Sequence, residues 1–393
     1  MMCWVYIMKL QRFNVRYGRT VVYFGPESFK NLENVINRYK RVYVVTSRSA
    51  AKVSGALGDI LSILSSYNIE YEIFDKIEPN PMQYIIEQLA DELIEFSAEA
   101  VIGIGGGSVI DSAKIASVLS ICGGNIKDYV YGVRQIHGAR PIIAVNLTHG
   151  TGSEINRYAV VTIDAPRTKF GIASEYLYPL ASIDDPRYTL SLPQKQIVYT
   201  ALDAFYHAYE AATGKDTSPF VLTLAEEITK HVVNWLPIAI KDPNNIEARY
   251  WLLYSSMLAG IAIDNSRAHI IHAIENVLSG INVNLPHGAG LAILGPQATI
   301  YIHRAVPEYS YRVLRYIDSG IRPSRDDAEK VGKAITEFQQ MLGLKEKLSD
   351  YGFKEEDADT VVDAVFKALG YSLRLVPFNV REDDIRDIYL KSI

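Results

Sequence analysis

AVIGIGGGSVIDSAK, residues 100–114, is the stretch that decides the fold. Its first five residues predict a buried strand, three glycines (Gly105, Gly106, Gly107) break it, and a helix is predicted to begin near Val109. A strand passing through a glycine turn into a helix opens a βαβ unit. Glycines let backbone N–H groups approach a pyrophosphate, and the helix N-terminus adds unpaired donors and the positive end of its dipole. Ser108 is expected as the N-cap, with Asp111 three residues on completing a capping-box-like pair. The turn is not the G-x-G-x-x-G fingerprint, because Ser108 stands where that pattern requires glycine.

Outward from this unit, short β-branched runs alternate with helical patterns: TVVYF at 20–24, RVYVVT at 41–46, YEIF at 71–74, PIIAV at 141–145 and ASID at 181–184. Strands separated by helices predict a doubly wound α/β domain with a parallel sheet. RYAVVTID at 157–164 follows a loop rather than a helix and is read as a hairpin-like excursion. After Pro193 only helical patterns remain, for example 246–263 and 326–341. The switch places the boundary near 185–193, with a nucleotide-binding domain over 1–188 and an all-α domain over 189–393.

With 393 residues the chain is long for one core. An apolar content of 48% with 22% charged residues is ordinary for a globular enzyme, and a net charge of −5 without a basic face argues against nucleic acid. Substrates are therefore expected to be small molecules. Cys3 and Cys122 lie far apart, which excludes a disulfide framework and fits a reducing compartment. The apolar start MMCWVYIMKL lacks a cationic n-region and a cleavage site, so it reads as an extra strand or an upstream start. No segment approaches the roughly 18 apolar residues of a membrane helix. A cytoplasmic protein is expected.

In the second half, Asp203 and His207 stand four residues apart in TALDAFYHAYEAATG, and His272 and His287 follow downstream. An i, i+4 pair on a helix turns a carboxylate and an imidazole to one face. Two further imidazoles would complete a four-ligand site for one divalent cation. One carboxylate with three neutral imidazoles suits Fe(II) or Zn(II) better than Mg or Ca, and ligand type does not separate the first two. Taken alone, an Asp-x3-His pair is more often a surface or hydrogen-bonded core pair.

The chain resembles the iron-containing (group III) alcohol dehydrogenases, of the superfamily that holds glycerol dehydrogenases and dehydroquinate synthase-like enzymes. The resemblance spans nearly the whole chain. It is carried by FGPESF near the start, EPNP (78–81), GGGSVIDSAK (105–114), THGTGSE (148–154), DDPRYTLSLP (184–193), ALDAFYHAYEA (201–211), AGIAIDNSRAHIIHAI (259–274) and LPHGAGLAI (285–293).

The resemblance implies a metal held by Asp203, His207, His272 and His287, and NAD(P) bound at the turn Gly105–Gly106–Gly107–Ser108 with Asp111. A metal there acts as a Lewis acid that lowers the pKa of an alcohol hydroxyl or polarises a carbonyl, so hydride passes between NAD(P) and a small primary or secondary alcohol or aldehyde. It also implies that Thr148 and Thr151 meet the cofactor, that Val160 lies against the nicotinamide, that Lys169 reaches the ribose region and that Asn80 touches the cofactor.

Relatives are commonly dimers, and a homodimer is expected. Polyol or polyol-phosphate dehydrogenation is the alternative activity, and a catalytically silent binding protein on the same scaffold is the alternative of another class.

Three departures from the family pattern carry expectations. NLTHGTGSE stands for the usual PTTAGTGSE, so the bulkier His149 is expected to intrude on the cofactor. Asn276 replaces a histidine often proposed to relay the alcohol proton, and His269 stands at a usually small position, which makes both candidates for the substrate pocket and His269 a rival metal ligand. After the second strand, Ser47 and Arg48 stand where NAD-using relatives carry an Asp that repels a 2′-phosphate. NADP is thus admitted beside NAD, and favoured.

Overall fold

The computed structural model describes residues 15, 18–164 and 167–393, so Cys3 and the apolar start lie outside the described residues. Six strands, β1 (Val21–Phe24), β2 (Arg41–Thr46), β3 (Glu70–Phe74), β4 (Ala100–Gly105), β5 (Ile142–Asn146) and β8 (Ala181–Asp184), form one sheet in the order β1-β8-β5-β4-β2-β3, and every pairing is parallel. Central strands covered on both faces need continuous apolar runs, which is what IIAVN and AVIGIG supply. On β2, Val42 and Val44 face a layer containing α1 (Ala56–Ser66), while Tyr43 and Val45 face the layer of α2 (Gln83–Glu95) and α3 (Gly107–Cys122). Alternation along one strand thus feeds two cores. β3 at the edge is half exposed.

The hairpin expected at 157–164 is an antiparallel pair, β6 (Tyr158–Asp164) with β7 (Arg167–Ala173). From Gln194 on the described chain is helical. Its elements include α4 (Gln194–Thr213), α5 (Pro219–Lys241), α6 (Ile246–Asn265), α7 (Ile270–Ile281) and α8 (His287–Ala305). α4 lies in the middle of this layer and is buried from Ile197 almost without interruption to Thr213. Polar groups on such a helix must be paired or bind something, because an unpaired buried polar group costs on the order of 1–3 kcal/mol. No described helix is long and apolar enough to cross a membrane.

One local expectation is corrected. The helix after the glycine turn starts at Gly107, so its N-cap is Gly106 and Ser108 lies within the first turn without a capping hydrogen bond. Asp111 does not close a capping box. Its carboxylate accepts from Ser153 Oγ at 2.5 Å and from the Val160 N–H at 2.9 Å, which ties α3 to the following loop and to the hairpin.

Candidate metal centre and cofactor cleft

α4 presents Asp203 and His207 one turn apart, α7 presents His272 in its first turn, and α8 opens on His287. His207 Nδ1 lies 3.1 Å from Asp203 Oδ1, His272 Nε2 at 3.7 Å and His287 Nε2 at 3.8 Å from the same oxygen. The ligand atoms of Asp203, His207 and His272 all fall within 4.8 Å of one another. Gly288 makes room for the fourth residue: a Cβ there would stand 2.1 Å from the Tyr199 carbonyl oxygen, so only glycine lets the start of α8 press this close to α4. Asp203 Oδ1, His207 Nδ1 and His272 Nε2 are buried and have no hydrogen-bond partner. Three convergent orphan atoms, one anionic and two imidazole, fit a cation rather than a water cluster or an apolar ligand.

Two buried glutamates complete the centre, and the sequence reading missed both. Glu210 on α4 meets His272 Nδ1 at 2.5 Å, and its carboxylate also accepts the amide N–H groups of Ile271 (2.6 Å) and His272 (3.3 Å) at the open end of α7. Glu275 on α7 hydrogen-bonds His287 Nδ1 and pairs with Lys169 of β7 at 3.6 Å. Each acid therefore holds a histidine of another helix. A signal existed: Glu210 stands three residues after His207 and Glu275 three after His272, the spacing of one helix face.

Electrostatics follow from this crowding. Burial alone would raise the Asp203 carboxyl, but His207, His272 and His287 outweigh it and hold the group below the usual carboxylate range. Burial takes His207 down to about 4, which keeps it neutral at pH 7. His272, which burial alone would push down, is lifted to about 9 by the carboxylates of Asp203 and Glu210 beside it. Nε2 of His272, the nitrogen without a hydrogen-bond partner, is the atom that would hold a cation.

On the other side, the glycine turn at the end of β4 faces the loop after β5. A Cβ on Gly106 would meet Thr148 Cγ2 at 2.7 Å and one on Gly107 would meet Thr151 Cγ2 at 2.6 Å, so both threonines lie directly against the turn. Their loop is anchored from below by Lys114, a fully buried lysine in mid α3 that donates to the carbonyls of Ser153 (2.6 Å), Tyr158 (2.8 Å) and Asn156 (2.9 Å). Gly150 of the same loop reaches α4: a Cβ there would sit 2.9 Å from Asp203 Oδ2. The loop after β5 and the Asp203 cluster are thus adjacent.

Comparison with known proteins agrees with this arrangement. Residues 19–186 match the family model of the iron-containing alcohol dehydrogenases and residues 197–393 match that of the C-terminal part of the same family. The chain belongs to the iron-containing alcohol dehydrogenase family. A long-chain primary alcohol dehydrogenase of Thermoanaerobacter ethanolicus is 39% identical over 88% of both chains, and a 1,3-propanediol dehydrogenase of Klebsiella pneumoniae is 31% identical over 88% of this chain and 91% of its own. Among solved structures, the NADH-dependent butanol dehydrogenase A of Thermotoga maritima superposes with a TM-score of 0.89 at 29% identity, covering 96% of this chain and 98% of that one. As an iron-type alcohol dehydrogenase, the chain is an oxidoreductase that works with NAD(P) and a metal on small alcohols and aldehydes.

Several residues sit elsewhere in this dehydrogenase than their sequence context implied. The His149 ring, expected to intrude on the cofactor, is fully buried and turned toward the helices, with Nδ1 2.9 Å from Thr200 Oγ1 and Nε2 3.4 Å from Arg249 Nη1. Burial and the Arg249 charge push it down to about 3, so it is a neutral packing element between the loop and the helices. His269 is fully buried and is not among the clustered ligand atoms of Asp203, His207 and His272. It caps α7, between Glu210 (3.1 Å) and Thr213 (3.3 Å).

Asn80 adopts a left-handed φ of 53° and directs its amide N–H groups to the carbonyls of Val283 and Leu285, just ahead of His287. Lys169, expected near the cofactor ribose, places its ammonium against Glu275 and His287. Asn276 lies half-buried one turn beyond His272 on α7.

Proposed function

We propose that Asp203, His207, His272 and His287 hold one divalent ion, Fe(II) or Zn(II), and that the chain interconverts a small primary or secondary alcohol and its carbonyl partner with NADP favoured over NAD. The observation that carries this reading is the trio of buried, unpartnered ligand atoms on Asp203, His207 and His272. A bound ion would supply Lewis acidity to the substrate oxygen. The protein's own residues do the positioning. The turn Gly105–Gly106–Gly107–Ser108, at the N-terminus of a long helix and beneath Thr148 and Thr151, suits a pyrophosphate. Val160, fixed by Asp111 through its amide, suits the nicotinamide half. Asn276 cannot titrate, so the alcohol proton leaves through water or the cofactor ribose.

For cofactor choice, Ser47 and the exposed Arg48 follow β2 at the carboxyl edge of the sheet, beside the strand that leads into the glycine turn. Neutral Ser47 removes the repulsion an Asp would offer a 2′-phosphate, and Arg48 is free to pair with it. A polyol-phosphate substrate finds less support: Arg267 pairs with Asp216 at 3.2 Å on the surface, and His269 is buried. A cytoplasmic homodimer fits the widely spaced cysteines and the family.

The test is oxidation of NADPH and NADH with a panel of aldehydes by chelator-stripped protein, with and without added Fe(II) or Zn(II). Turnover is expected only with metal, and at least as fast with NADPH as with NADH. Equal turnover without metal would overturn the reading.

A further inference from the structure

Which nitrogen of each ligand histidine is free to bind a cation depends on where its single proton sits, and in this chain two carboxylates decide that. An imidazole that donates from Nδ1 leaves a lone pair on Nε2. His272 has Glu210 on its Nδ1 at 2.5 Å and turns an unpartnered Nε2 toward Asp203. His287 repeats the arrangement, with Glu275 on Nδ1 and Nε2 3.8 Å from Asp203 Oδ1. Lys169 Nζ also lies 3.2 Å from His287 Nδ1, but one nitrogen cannot both donate to Glu275 and accept from a lysine. Glu275 is the nearer partner, so the proton belongs on Nδ1 and Lys169 serves as counter-ion to the glutamate.

Both acids are fully buried. With Asp203 they make three carboxylates. One ammonium, Lys169, and one divalent cation balance them, so a filled centre carries no net charge while an empty one holds uncompensated buried charge. Glu210 is held on its own side by the Ile271 and His272 amides, and Glu275 by Lys169, which comes from the hairpin of the nucleotide-binding half.

We propose that Glu210 and Glu275 are positioning residues of the metal centre: each fixes the tautomer and aim of one ligand histidine across a helix boundary, and together they set the affinity for the ion. This rests on the four-residue ligand set above. Outer partners of this kind typically govern metal affinity by about ten- to hundredfold.

The test is the dissociation constant for Zn(II), measured at pH 7 on stripped protein by competition with a chromophoric chelator, for the wild type, Glu210→Gln and Glu275→Gln. Each glutamine keeps the shape of the site and removes the charge, and each variant is expected to bind Zn(II) ten- to hundredfold more weakly. Asp203→Asn with His207→Ala is the arm that tests the ligand set itself, and is expected to abolish binding.

Glu210 also caps α7, so a purely structural role would lower the metal-free melting temperature of Glu210→Gln and leave its Zn(II) affinity alone; that result would overturn the proposal for Glu210. Glu275 caps no helix, and its variant remains informative if Glu210→Gln fails to fold. Zn(II) affinity within twofold of wild type in Glu275→Gln would overturn the proposal for Glu275. Undiminished binding by the Asp203 and His207 double variant would instead sink the ligand set on which both depend.

Discussion

Glu154 is buried to the last atom, and neither carboxylate oxygen meets a donor from another described residue. Burial, with the negative charge of Asp111 beside it, pushes the group up to about 7 in spite of Lys114. Asp184 at the end of β8 is raised for the same reasons, by burial first and then by Glu154. A folded pKa above the unfolded one means that the acid form is what folding favours. Its contribution is complete below pH 4.5 and is lost as pH rises through about 7. Glu154→Gln imitates the acid form at every pH. It is expected to match the wild type in urea melts near pH 5 and to exceed it by about 2 to 3 kcal/mol at pH 8. The same stability difference at both pH values would show that the carboxyl of Glu154 is not the group responsible.

Among the elements, β2 and the residues after it carry the cofactor question. Thr46 is paired with Ile104, so Ser47 emerges one residue from the glycine turn on the neighbouring strand. An Asp at 47 would accept from a ribose 2′-OH and repel a 2′-phosphate. Ser47→Asp is expected to shift the preference toward NADH by roughly ten- to hundredfold, about 1.4 to 2.8 kcal/mol, in titrations followed by nicotinamide fluorescence. Clear NADH preference in the unmodified protein contradicts the idea.

Elements were the most legible scale. The six strands of the sheet lie within a residue of the expected ones, because buried parallel strands need uninterrupted β-branched runs and glycines end them visibly. β7 was not legible: RTKFGIA mixes charge, glycine and apolar residues, since its side chains divide between the nucleotide half and the packing against α7 and gain their places only from tertiary contacts. The Ser108 cap failed for a similar reason. Thr148 and Thr151 press on the turn and select Gly106 for the N-cap and Gly107 for the first helical position, a demand that comes from a loop some forty residues away.

At the scale of the whole molecule, nucleotide-binding and helical halves meet at the metal centre through single residues: Gly150 against Asp203, Asn80 on the carbonyls before His287, Lys169 on Glu275. Asp203, His207, His272 and His287 stood out as candidate ligands through the i, i+4 spacing of the first two and the motifs shared with the family. The i+3 spacing puts Glu210 and Glu275 on the ligand-bearing helix faces, but their partners on other helices, like the inward turn of His149, depend on how α4, α7, α8 and the loop after β5 stack. The claim on which the rest stands is that Asp203, His207, His272 and His287 bind one divalent ion. Elemental analysis of purified protein reconstituted with Fe(II) or Zn(II) tests it most directly. One ion per chain is expected in the wild type and in His269→Ala, with near-complete loss in Asp203→Asn and in His272→Ala; full metal content in His272→Ala together with loss in His269→Ala would contradict it.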